Sequence, residues 1–266
     1  MSGDEALVTF ISLGLGAAVW IHWIWQVAFS AQRCSRFAHR WPLLLYPAIC
    51  SAALWVVLRR FSSSDVQNDP VYLAFYMLLG AAWVGLGARL LPAVGLSARD
   101  DVIERANGGA AHAIGGALLG LTFCFAGGNI GDGPGWWVVV FCAFLSTTAL
   151  LLLWIFLDRL THLADTVTID RDPAAGLRLA AFFAGTGLIL GRAVAGDWES
   201  AFATIADFLR LGWPAIVLWG VAVFLEKRLR PHPERPFAAL ATHGLAPAVV
   251  YLSLAIFFTM QAGWWS

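Results

Sequence analysis

Long apolar runs separated by short polar turns organise this chain. Eight mostly apolar stretches, at 6–29, 42–59, 71–92, 108–128, 135–157, 174–195, 211–226 and 245–263, approach or exceed the about 20 residues that a helix needs to cross a bilayer. The pattern predicts an all-α integral membrane fold of about eight transmembrane helices. The fourth and sixth stretches are the least hydrophobic, because glycine and alanine contribute little. Asp69-Pro70 and Asp172-Pro173 each set a capping acid before a proline, which predicts the starts of the third and sixth helices. Ser97-Ala98-Arg99-Asp100 has the form of a capping box, so the fourth helix is expected to begin near Ala98, ahead of its apolar part. Between the sixth and seventh spans, Trp198, Phe202, Ile205, Leu209 and Trp213 recur every three to four residues, with Asp197, Glu199, Asp207 and Arg210 between them. That spacing predicts a short interfacial helix.

The basic residues set an orientation. With the turns after odd-numbered helices in the cytoplasm, that side holds thirteen of them: Arg33, Arg36, Arg40, Arg89, Arg99, Arg105, Arg159, Arg171, Arg178, Lys227, Arg228, Arg230 and Arg235. The other side holds four, Arg59, Arg60, Arg192 and Arg210. Positive charge stays inside, so both termini are expected outside, on the periplasmic face of a bacterial envelope. The N-terminus carries Asp4 and Glu5 where a signal peptide carries basic residues, and the first run is read as a retained span.

The third, fifth and seventh spans end alike, in GLGARLLP (85–92), WIFLDRLTH (154–162) and FLEKRLRP (224–231). Arg89-Leu90, Arg159-Leu160 and Arg228-Leu229 mark the same point of a two-helix unit. Such a unit returns the chain to the side it left, so the repeats are parallel. The chain divides into an N-terminal helix pair (1–70), two modules (71–134 and 135–210) and a C-terminal pair (211–266) that forms a weaker third copy. Glu104-Arg105-Ala106-Asn107 in one module and Asp170-Arg171-Asp172 in the next each lead from a charged turn into a small-residue helix.

A helix ending in Arg/Asp-Leu, an acidic loop with Glu104, and Asn107 opening an Ala/Gly-rich helix form a pattern that, across 71–231, resembles the YjfL-type family of small bacterial inner-membrane proteins. The second module departs from it, with Asp172-Pro173 at the asparagine position. The resemblance implies tandem two-helix modules, an inner-membrane location and association with envelope-stress systems. It implies no established activity.

Charged residues make up 13% of the chain and hydrophobic ones 59%, whereas soluble domains carry about a quarter charged. Net charge is zero, so nothing points to a nucleic-acid partner; the bilayer itself is the first partner implied. Cys34, Cys50, Cys124 and Cys142 show no CxxC spacing and read as small buried hydrophobes. No phosphate-binding glycine loop, GxSxG or HExxH is present, and the turns are too short for a catalytic domain. The reading is therefore non-enzymatic: an ion or small-solute conduit, or a membrane scaffold, assembled as a homo-oligomer or with membrane partners.

Within the spans, Gly116-x-x-x-Gly120 and Gly187-x-x-x-Gly191, with Gly115 and Gly185 beside them, form small-residue stripes suited to close helix packing. Asn107, His112, Asp172 and Arg178 fall at one end of the fourth and sixth helices and form the candidate ion or solute site. Arg178 is expected to snorkel to head groups, or to pair with Asp172 or Glu104. Fourteen tryptophans include Trp41, Trp136, Trp137, Trp198, Trp213, Trp264 and Trp265 near span ends, as interfacial anchors. No cofactor is expected on the first reading. The alternative, from another class, is a redox protein holding haem b or a metal through His22, His112, His162 and His243, since imidazole is the usual ligand.

Overall fold

Hydrocarbon offers no partner to a backbone N–H or C=O, so a chain this apolar must satisfy each within its own segment. The structure, a computed structural model, describes residues 2–29, 40–230 and 239–262. Among the described residues the solution is all-helical, with one isolated backbone bridge between Ser62 and Gly131. The long helices are α1 (Gly3–Phe29), α2 (Trp41–Arg60), α4 (Pro70–Leu90), α5 (Gly108–Gly127), α6 (Trp136–Thr161), α8 (Pro173–Ala193), α9 (Ala201–Leu229) and α10 (Ala246–Gln261). Two short helices, α3 (Ser64–Asn68) and α7 (Leu163–Thr168), lie between them. Among the described residues, eight helices are long and apolar enough to cross a membrane.

Two local expectations change. Ser97 does cap a helical turn, accepting from the Asp100 amide at 3.0 Å, but that turn is a separate π-helical segment, Ala98–Glu104. Ala106, in the left-handed region at φ 54°, breaks it from α5. The expected interfacial helix is not separate either: Ser200 caps a helix that runs unbroken from Ala201 to Leu229. Pro214 sits inside it, because a proline there forfeits one hydrogen bond to the preceding turn and a long helix absorbs that loss.

The helices form two rows. α2, α5, α8 and α10 lie side by side in one, and α1 and α4 pair, as do α6 and α9, in the other. Polar groups stitch the second row: Trp20 Nε1 donates to the Ala81 carbonyl at 2.9 Å, and Trp83 Nε1 to Thr147 Oγ1 at 3.2 Å. Helices that face lipid bury only part of their length. The apolar windows of α5 and α8 are 83% and 89% buried, against 22–44% for the other spans, so these two are the centre. Their low hydrophobicity follows, since neither needs to face lipid.

α5 and α8 run parallel and touch backbone to backbone. A methyl group on Gly116 would lie inside the Ala180 backbone, one on Gly176 inside Gly109, and one on Gly127 inside Gly191. One on Gly187 would stand 2.5 Å from the Gly120 Cα, and one on Gly191 would meet the Phe123 carbonyl. Two glycines of the stripes look elsewhere. Gly115 faces the Tyr46 ring on α2, and Gly185 faces Leu218 of α9 and Ala255 of α10. In lipid, where burial of apolar surface drives nothing between helices, such contact is the main source of packing energy.

Gly116→Ala and Gly187→Ala should therefore each force the central helices apart and destabilise the fold by about 1–3 kcal/mol, the usual cost of overpacking. Gly220→Ala, where nothing lies within 4 Å of the added methyl, should be neutral or stabilising. Thermal unfolding of the three variants in detergent checks this; equal loss in all three would contradict it.

Candidate functional site

The polar residues of the candidate site cluster where α5 and α8 begin. Asn107 caps α5, its Oδ1 accepting from the Ala110 amide at 3.1 Å, and its Nδ2 donates to the Val167 carbonyl of α7 at 2.6 Å. Asp172 caps α8 in the same way, accepting from the Ala174 amide at 2.9 Å. The approaches match as well. Ala106 and Arg171 both adopt left-handed backbone, at φ 54° and 58°. The Asn107 amide donates to the Asp101 carbonyl at 3.0 Å, and the Asp172 amide to that of Thr166 at 3.1 Å. Asp172 thus performs the asparagine's capping role but has no amide to donate to the chain, and its Oδ2 is buried without a partner among the described residues. A methyl placed on Gly109 would meet both the Asp172 carbonyl and Asn107 Oδ1, so the two caps are neighbours.

Arg178 lies one turn further in and is fully buried. It neither snorkels nor pairs with Asp172 or Glu104. Its Nε donates to the Glu226 carboxylate of α9 at 2.8 and 2.9 Å, and its Nη2 to Glu226 Oε2 at 2.7 Å. Nη1 donates to the His243 carbonyl at 2.5 Å, and the buried Tyr251 hydroxyl of α10 donates to Glu226 Oε1 at 3.3 Å. The buried Arg178–Glu226 pair therefore joins α8, α9, the π-helical turn Leu240–Leu245 and α10. Snorkelling fails because α8 is enclosed by protein along most of its length and offers a side chain no lipid face to follow. Glu104 is engaged by Arg99 at 3.1 Å instead.

Glu226 is hard to find from the sequence because FLEKRLRP reads as a basic helix end. The available signal is its register. Ala215, Leu218 and Ala222 form the buried stripe of α9, and Glu226 continues it at the next i+4 position. A carboxylate on the inward face of a span needs a cation, and Arg178 supplies it.

The four candidate residues do not form one site. Asn107 and Asp172 meet at the caps, and Arg178 faces α9 and α10. His112 points to the other side, with its Nδ1 3.2 Å from the Tyr46 hydroxyl of α2. The remaining histidines are dispersed. His22 is exposed on α1, and His162 ends α6 at 3.8 Å from Asp165. His243 Nδ1 lies 2.8 Å from Thr242 Oγ1. Among the described residues no three His, Cys, Asp or Glu side chains gather in a metal-holding group. Cys34, His39, His232, Arg33, Arg36, Arg235, Trp264 and Trp265 lie outside the described residues; Cys50, Cys124 and Cys142 are buried free thiols.

Among the described residues outside the spans, one titration is perturbed. Burial raises the pKa of Asp101 above the ordinary aspartate value, opposed by the Ser97 amide and the Arg105 guanidinium that contact it.

Apolar faces turned outward, glycine-packed central helices and a buried ion pair that is neutral as a whole define an all-α polytopic membrane protein. Residues 134–263 match the model of an uncharacterised family described as Domain of Unknown Function (DUF350). The matched stretch takes in α6 to α10, including the last span, and not residues 71–133. No curated protein and no solved structure matches the chain.

Two outcomes follow for this region. Arg178→Met or Glu226→Met alone leaves a buried unpaired charge and should cost about 3–5 kcal/mol, while the double variant should recover most of it. Additive losses in unfolding measurements would contradict the pairing. Asn107→Ser keeps a neutral capping oxygen but loses the donor to Val167, whereas Asn107→Ala loses both, so Ala should be the worse by about 1 kcal/mol. A reversed order would show that the cap is not what Asn107 contributes.

Proposed function

We propose that the chain is a non-enzymatic membrane scaffold of the bacterial inner membrane, with its arginine-rich turns in the cytoplasm and both termini on the outer side. The observation that carries this reading is the backbone contact between α5 and α8. A conduit through the centre of the bundle would have to part helices whose glycines leave no room for a methyl group. The same economy governs the polar residues. Asn107 and Asp172 cap the two central helices and Arg178 pairs with Glu226, so these four residues do not form a row of polar groups along a path.

The thirteen-to-four division of basic residues supports the orientation. Arg99 and Arg171 are exposed on the basic end, beside the turns that cap the central helices, and form the surface on which soluble partners dock. Exposed apolar side chains on α1, α9 and α10, among them Phe10, Leu209 and Ile256, face lipid or further copies of the chain. The resemblance to YjfL-type proteins makes envelope stress the setting in which such a platform works.

Purified protein in proteoliposomes should carry no ion or small-solute flux above that of empty vesicles. In cells, a photo-crosslinker placed at Arg99 or Arg171 should capture a soluble cytoplasmic protein. Flux above that of empty vesicles would overturn the scaffold in favour of a conduit, and an absence of adducts at both positions would remove the docking surface.

A further inference from the structure

The end opposite the arginine-rich turns holds a polar pocket of about 260 Å³ that the scaffold reading does not use. It is built where six elements converge: the start of α1, α3, the start of α4, the loop after α5, the start of α6 and the α8–α9 connection. Two loops form its floor. Gly131, at φ 102°, lies so close to Gly196 that a side chain would strike the Gly196 backbone. The Gly196 amide donates to the Ile130 carbonyl at 2.9 Å, and the Trp198 amide to that of Asp132 at 2.8 Å.

The lining is one-sided in charge. Glu5, Asp65 and Asp132 contribute three carboxylates, and among the described residues no lysine, arginine or histidine lines the pocket. Glu5 accepts from the Ser2 amide at 2.6 Å and from the Tyr72 hydroxyl at 3.4 Å. Among the described residues nothing donates a hydrogen bond to the carboxylate of Asp65 or of Asp132, whose own amide is held by Asp197 at 2.8 Å. Two arginines near this end make contacts that do not involve these carboxylates: Arg59 donates to the Gln67 carbonyl, and Arg192 to the carbonyls of Ala195 and Ala262.

Asn129 is the independent observation. It lines the pocket and is 94% buried, since 6% of its surface is exposed. Its Nδ2 donates to the Phe125 carbonyl one helical turn back, at 2.9 Å, but its Oδ1 is buried with no partner among the described residues. A buried amide oxygen left unpaired is costly, so the position calls for a donor that the protein does not supply.

We infer that this pocket binds a small cation that donates hydrogen bonds, either a hydrated divalent metal ion or a primary ammonium. Donors satisfy Asn129 Oδ1, and positive charge offsets Glu5, Asp65 and Asp132. The carboxylates do not form a three-membered group able to ligate a bare ion, so an ion enters with its water shell, and the pocket has room for one. The site is independent of the scaffold reading and stands or falls separately from it.

The test is thermal unfolding of the full-length protein in neutral-lipid nanodiscs at fixed ionic strength, titrated in turn with calcium, methylammonium and tetramethylammonium chlorides. Calcium or methylammonium, or both, should raise the midpoint saturably; which does so identifies the source. Tetramethylammonium carries charge but no N–H donor and should have no saturable effect. Asp65→Asn with Asp132→Asn, at positions exposed enough to leave folding intact, should weaken the apparent Kd at least about tenfold, the loss expected when charged hydrogen bonds are removed. Asn129→Asp adds a buried carboxylate and should make stability more dependent on the same cation. No saturable response, an equal response to tetramethylammonium, or an unchanged Kd in the double variant would overturn the site.

Discussion

The fold depends on two helices touching without side chains between them. α5 and α8 approach so closely that glycine is required at Gly116, Gly127, Gly176 and Gly187, where any Cβ would meet opposing backbone. That single contact explains several features at once. It makes the least hydrophobic spans the most buried, because helices enclosed by protein need no greasy surface. It sets the parallel register, with Gly109 beside Pro173, Gly116 beside Ala180 and Gly127 beside Gly191. It also leaves the remaining spans to wrap the pair and turn their larger side chains to lipid.

Polar chemistry is distributed unevenly between the two ends. At the basic end the polar groups hold the helices in place. Asn107 and Asp172 begin the central helices, and Arg178 with Glu226 and Tyr251 ties the last two spans to α8. The pair is neutral as a whole and each guanidinium nitrogen donates a hydrogen bond, which is how a charge remains within a membrane helix. At the opposite end the groups are less fully used. Three carboxylates and the Asn129 amide oxygen share a pocket that, among the described residues, brings them no positive charge. The contrast separates the half of the molecule that holds it together from the half with capacity for a ligand.

Much of this is legible in the residues. The spans and the proline-led helix starts at Asp69 and Asp172 follow from apolar length and local capping, which act over a few residues. The glycine stripes point to close packing, but not to which partner. Gly115 faces Tyr46, because direction around a helix depends on neighbours that the stripe does not name. The grouping of Asn107, His112, Asp172 and Arg178 fails for the same reason: all four sit near one end of the central helices, yet they point to three different sides. Glu226 and Asn129 are inconspicuous in the chain because their importance comes from a residue 48 positions away in one case and from a loop junction in the other. Depth in the membrane can be read from a linear chain, whereas azimuth requires the packed structure.

The parallel, in-register backbone contact is open to measurement in lipid. Magic-angle-spinning NMR of the protein in bilayers, with glycine and alanine carbons labelled, reports contacts between backbone atoms of the two helices. Through-space cross-peaks should join Gly116 to Ala180 and Gly127 to Gly191. Their absence, or cross-peaks joining Gly109 to Gly191 as an antiparallel pair would give, would contradict the packing of α5 against α8 described above.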